Sequence, residues 1–87
     1  MSGWGIKWTA RAQKDVLSLN AAVARRVVRK LDQAALDPPR FFKRLAGADE
    51  HKLRIGDYRL LALLSYDTRT ILVERVDHRS RVYERMR

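Results

Sequence analysis

Apolar positions recur along this chain with two different periods, and the period switches where the elements switch. Trp4, Ile6 and Trp8 alternate with polar or small residues, the period-two signature of a short strand with one side on a core. Thr9 then offers a side-chain oxygen as an N-cap. After it, Ala12, Val16 and Leu19 recur at helical spacing, with Arg11, Lys14 and Asp15 expected to point away. That helix ends near Leu19-Asn20, and Asn20 can cap the next. From Ala21 to Leu36 the stripe is Val23, Val27, Leu31 and Ala34, widened by Ala24, Val28 and Ala35, with Arg25, Arg26, Arg29 and Lys30 on the polar side. Asp37-Pro38-Pro39 ends this second helix, because proline cannot continue the hydrogen-bond ladder and disfavours helix in the residue before it. The short link between the helices predicts an antiparallel helical hairpin.

The second half reads in strands. Arg40–Asp49 is expected to be a loop, tethered by Phe41, Phe42 and Leu45, with Lys43 and Arg44 exposed. His51–Ile55 and the residues from Tyr58 onward form a hairpin around Gly56-Asp57. Leu60-Leu61-Ala62-Leu63-Leu64 is continuously apolar, and its length and flanking turns favour a central strand buried on both faces. Tyr66–Arg69 is a turn, and Thr70–Val76 is the returning strand. Asp77–Arg87 reads as a strand exit or a short helix. The predicted fold class is α+β in the order β-α-α-β-β-β. Three hairpin-linked strands make an antiparallel sheet, a helical hairpin packs on one face, and the other face is left for function. The first strand joins at an edge or pairs with a central strand; the pattern is compatible with both.

Length and charge sharpen this picture. Eighty-seven residues make one domain, 1–87. With 46% hydrophobic and 33% charged residues the composition is that of a globular chain. No apolar run is long enough to span a bilayer, so no membrane role is expected. The absence of cysteine removes disulfides, cysteine-based zinc sites and thiol catalysis, and fits a cytoplasmic protein. The net charge of +9 points to a polyanionic partner, most often nucleic acid. The excess is spread over both halves: ten basic against four acidic side chains in residues 1–49, nine against six in 50–87. Much of it therefore acts as a general footprint on phosphates.

The candidate chemistry lies in two basic clusters. In His51-Lys52-Leu53-Arg54-Ile55-Gly56-Asp57-Tyr58-Arg59, alternation directs Lys52 and Arg54 to one face, and the hairpin returns Arg59 beside them. The other cluster is His78-Arg79-Ser80-Arg81-Val82-Tyr83. The expectation is that folding brings the two together around a phosphate.

These segments resemble a family. Lys-Leu-Arg-x-Gly-x-Tyr-Arg, an apolar strand, a hairpin and then Val-x-His-Arg-x-x-Val-Tyr are similar to the RelE/ParE superfamily of type II toxin–antitoxin toxins. Thr9, Ala12, Lys14, Asp15 and Leu19 fit the family's first helix. The resemblance implies a RelE-like toxin that enters the ribosomal A site and cuts mRNA without metal or small-molecule cofactor. The ribose 2′-hydroxyl attacks the adjacent phosphorus, and translation is inhibited. It implies a cognate antitoxin, the ribosome and mRNA as partners. ParE-like members of the same superfamily poison DNA gyrase instead, and a catalytically weak homologue acting only as a binding module is the other alternative.

Carried over residue by residue, the resemblance makes Lys52 a base or electrostatic stabiliser and Arg59 and Arg79 the phosphate-gripping arginines. Tyr83 stacks on a base and orients the attacking sugar. Arg54, His78, Arg81, Lys43 and Arg44 complete the expected RNA-binding set, and no metal site is expected. Two departures stand out. Glu50 occupies a position where many active members carry lysine; a carboxylate there serves as a base itself or weakens phosphate binding. The C-terminal motif is also two residues shorter than in some active members.

Overall fold

A computed structural model describes residues 3–78. In chain order the elements are β1 (Gly5–Trp8), α1 (Ala10–Leu17), α2 (Ala21–Ala34), α3 (Pro38–Phe41), β2 (Lys43–Arg44), β3 (His51–Ile55), β4 (Tyr58–Ser65) and β5 (Thr70–His78). The class is α+β, as expected. The five strands form one sheet in the order β1-β5-β4-β3-β2. β4 is central, which accounts for its unbroken apolar run: Leu60, Leu61 and Ala62 are all buried. The sheet is mixed, because β1 runs parallel to β5 at one edge while every other pairing is antiparallel.

Both predicted helix caps form. Thr9 Oγ1 accepts from the Ala12 amide at 3.0 Å, and Asn20 Oδ1 accepts from the Val23 amide at 2.9 Å. The apolar stripes meet one face of the sheet. Ala12 of α1 and Val27, Leu31 and Ala34 of α2 share a core with Leu53, Leu60, Ile71, Val73 and Val76, and Trp4, Ile6 and Trp8 pack against it. Burying each of the larger aliphatic side chains contributes roughly 1.5–3 kcal/mol.

Three expectations are corrected. The stretch after α2 is not a plain loop: Pro38 and Pro39 open the short helix α3, where a missing N–H costs nothing, and Lys43-Arg44 pair with β3 as an edge strand. β5 runs two residues further than expected, to His78. Asp15 does not point away from the core side. β1 accompanies β5 only as far as Val73, so among the described residues the edge of β5 beyond it has no strand partner. Two side chains from the first helical turn and a half supply what is missing: Thr9 Oγ1 donates to the Glu74 carbonyl at 3.2 Å, and Asp15 Oδ2 accepts from the Val76 amide at 3.0 Å. This is the obligation of a buried backbone to find partners, met by a helix instead of a strand.

Candidate nucleic-acid interface

Strand register decides which cations share a face, because directly opposed residues project to the same side. Lys43 opposes Lys52, Lys52 opposes Leu61, and Leu61 opposes Arg75. One step along, Arg54 opposes Arg59, and Arg59 opposes Asp77. Leu53, Leu60 and Val76 form the alternate rank, and these are the core residues under the helices. Lys43, Lys52, Arg54 and Arg59 therefore stand on the face away from the helices; alternation predicts this for Lys52 and Arg54 and the hairpin for Arg59, while Lys43 joins them only because β2 forms. They line one cleft of about 200 Å³ with Phe41 as its apolar wall.

The hairpin that places Arg54 opposite Arg59 depends on Gly56. Its φ of +58° falls at the first of two turn residues, and Asp57 has no positive φ. That is the pattern of a II′ turn, whose twist matches the strands it joins. Arg59 is 7% exposed, whereas Arg54 and Lys43 lie open to solvent. Among the described residues no ion pair involves Arg54 or Lys43; the pairs present join Arg11 and Arg75 to Asp15, Arg44 to Asp49, and Arg75 to Asp77. Asp77 lies directly across from Arg59 and limits the local excess of positive charge.

A β-bulge shapes the far side of this face. The pairing slips between Leu61, opposite Arg75, and Ala62, opposite Val73, which leaves Glu74 as the extra residue. Glu74 is half-buried. Burial, reinforced by the neighbouring Glu50 carboxylate, raises its pKa above the usual 4.5. A pair of carboxylates thus accompanies the cations.

The remaining expected site residues are placed differently. Arg44, next along β2, turns to the other side; its guanidinium reaches the Ala48 carbonyl at 2.9 Å and the Asp49 carboxylate at 3.4 Å, which holds the Asp49 loop instead of joining the cleft. His78 opposes Tyr58, in the rank of Leu60 and Val76, and its ring meets Tyr58 edge to face at 5.7 Å. Alternation thus puts His78 on the opposite side of the sheet from Lys52 and Arg59. Arg79, Arg81 and Tyr83 lie outside the described residues. His51 binds locally, its Nδ1 lying 3.0 Å from the Asp49 carbonyl.

Sequence reasoning missed Phe41, read only as a loop tether. In the structure it lines the cleft and also carries Lys30 Nζ 5.2 Å and the Arg40 guanidinium 5.9 Å from its ring centre. No local signal marks it, since its place depends on α3 and β2 forming.

A family model described as the ParE toxin of the type II toxin–antitoxin system parDE matches residues 6–83. Among solved structures, a chain of the toxin–antitoxin complex RelBE2 from Mycobacterium tuberculosis is 28% identical, with 88% of this chain and 99% of that chain covered and a TM-score of 0.80. An arginine-to-alanine double mutant of E. coli toxin RelE in the free state is 27% identical over 95% of this chain and 93% of that one, with a TM-score of 0.75. A chain of the RelE–RelB complex of Pyrococcus horikoshii OT3 shares the fold at 24% identity and a TM-score of 0.74, over 92% of this chain and 99% of that one. No curated protein matches. With its helix-backed sheet and the family match spanning nearly its whole length, the chain belongs to the ParE toxin family of type II toxin–antitoxin systems, within the RelE/ParE superfamily.

Proposed function

We propose that this toxin is a metal-independent endoribonuclease that cuts mRNA in the ribosomal A site. The observation that carries this reading is the convergence of Lys43, Lys52, Arg54 and Arg59 on one cleft of the open sheet face. In the reaction, the bond from the ribose 2′-oxygen to phosphorus forms and the bond from phosphorus to the 5′-oxygen breaks. The 2′-hydroxyl proton passes to a base and a proton returns to the leaving oxygen, giving a cyclic phosphate and a 5′-hydroxyl. Negative charge builds on the phosphoryl oxygens, and preorganised cations stabilise it best where water is scarce. Arg59, the most buried of the set, is assigned to those oxygens. Arg54 and Lys43, at the rim, hold the flanking backbone. Lys52 acts as base or stabiliser, with the Glu50 carboxylate beside it as the other candidate base. Arg79 and Tyr83 keep the roles the resemblance implies, phosphate grip and base stacking.

The test is a translation extract programmed with a defined mRNA and purified toxin, with the 5′-hydroxyl ends mapped. Cleavage is expected with the wild type and a loss of about 100-fold or more with Arg59→Ala. Intact mRNA with the folded wild type overturns the reading. The second reading, inhibition of DNA gyrase, is favoured by the ParE description of the matching family model. It predicts inhibition of supercoiling by the same preparation, and inhibition that survives Arg59→Ala would select it.

A further inference from the structure

A second basic cleft lies around the corner from the first. It holds about 270 Å³ and is lined by Arg26, Arg29, Lys30 and Gln33 of α2 together with Arg54 and the Gly56 turn. These residues come from segments some thirty positions apart, and the β3–β4 hairpin reaching α2 is what unites them. Gly56 makes the approach possible: Arg26 Nη2 lies 2.7 Å from where a Cβ on that residue would stand. Among the described residues, no carboxylate pairs with Arg26, Arg29, Lys30 or Arg54. Four cations facing one cavity without neutralising partners repel one another, an arrangement that an incoming polyanion relieves.

The linings of the two clefts meet in two places. Arg54 lines both. Phe41 walls the first, and Lys30, which lines the second, sits over its ring. The open edge of β3 explains how this arises. β2 covers only His51 and Lys52, so among the described residues no strand pairs with Leu53 to Ile55 on that side, and Arg54 can serve either side of the sheet. Arg25, on the same helix, faces a different surface with Ala24, Val28 and Asp32.

We propose that a single-stranded RNA leaving the first cleft passes over Arg54 at the β3 edge and lays its flanking phosphates against Arg26, Arg29 and Lys30. This inference rests on the nuclease reading for the identity of the first cleft. The same geometry gives the second cleft a specific job: it adds affinity for long RNA and none for short RNA. Single-stranded contacts each contribute about 0.7 to the logarithmic salt slope. Loss of two therefore lowers the slope by about 1.4, roughly a 10–30-fold loss of affinity at 0.1 M salt.

The experiment uses 2′-O-methyl oligonucleotides, which cannot be cut, so binding is read apart from chemistry. Fluorescence anisotropy compares a dinucleotide with an oligomer of about ten nucleotides across a salt series. The wild type is expected to bind the longer RNA more tightly. Arg26→Ala/Arg29→Ala should remove that gain and lower the salt slope while leaving the dinucleotide unaffected. Lys14→Ala/Arg25→Ala, with the same charge change elsewhere, should keep the gain. Equal loss in both double variants overturns the track, as does a wild type whose affinity does not grow with length. A double variant that loses binding to polyglutamate but keeps full RNA affinity assigns the cleft to an acidic polypeptide and likewise overturns it. Length-dependent binding that depends on Arg26 and Arg29, together with intact mRNA in the translation extract, leaves the track standing and removes the nuclease reading.

Discussion

Asp15 holds together three parts of the fold, and its removal has a cost that can be worked from the contacts. The carboxylate is 12% exposed and accepts from Arg11 Nε at 3.1 Å, Arg75 Nε at 3.4 Å and the Val76 amide at 3.0 Å. Asp15→Ala deletes all three. The Arg11 pair is a solvated i,i+4 contact on α1, worth about 0.3–0.5 kcal/mol. Val76 is 2% exposed and lies past the end of β1, so among the described residues its amide has no strand carbonyl to turn to, and an unsatisfied buried donor costs about 1–3 kcal/mol. Arg75 keeps Asp77 at 3.5 Å, so its loss is partial, about 1 kcal/mol. The expected destabilisation is about 2–4 kcal/mol, a fall of roughly 10–25 °C in Tm for a domain of this size. Asp15→Asn retains an oxygen for Val76 and sheds only the charge, so it should cost about 1–2 kcal/mol. Urea unfolding of the two variants and the wild type, followed by circular dichroism, measures both. A change below about 0.5 kcal/mol for alanine, or equal losses for the two variants, would refute the account of how β5 is secured.

Three further outcomes follow from the same contacts. Because the folded state raises the pKa of Glu74 above 4.5, the native protein keeps that proton longer than the unfolded chain. Stability therefore falls as pH rises from 4.5 through the raised value, and Glu74→Gln should be the more stable protein at pH 7, with its advantage gone below about pH 4; a pH-independent difference in urea midpoints contradicts this. Gly56→Ala forces a side chain into a φ of +58° and against the Arg26 guanidinium, and should lower stability by about 1–2 kcal/mol, with Gly56→Asn losing less in the same denaturation assay. Thr9→Ala removes both the α1 cap and the bond to the Glu74 carbonyl, for a loss of about 1–2 kcal/mol by thermal unfolding.

The elements whose patterns are local were legible in the chain. Helix α2 follows from its apolar stripe, its Asn20 cap and its proline stop. Strand β4 follows from five consecutive apolar residues between turns. The common face of Lys52 and Arg54 follows from alternation alone, and the hairpin at Gly56 adds Arg59. By contrast, β2 is two residues long and α3 begins with two prolines. Neither carries enough positions to show a period, so the chain alone reads Phe41 as a tether and Lys43 and Arg44 alike as exposed RNA-binding residues.

What the residues alone determined is which side of each strand or helix is apolar, because side-chain direction repeats every two or 3.6 positions along a local backbone. What needed the tertiary structure is every relation between distant segments. The parallel seat of β1 on β5, the turn of Asp15 toward the β5 edge, the placing of His78 on the far side of the sheet and the joining of the α2 arginines to the hairpin all depend on pairing register. Register is set by long-range burial: a one-residue slip would move a whole strand's side chains to the other face, and nothing within a single segment records which slip the core will accept.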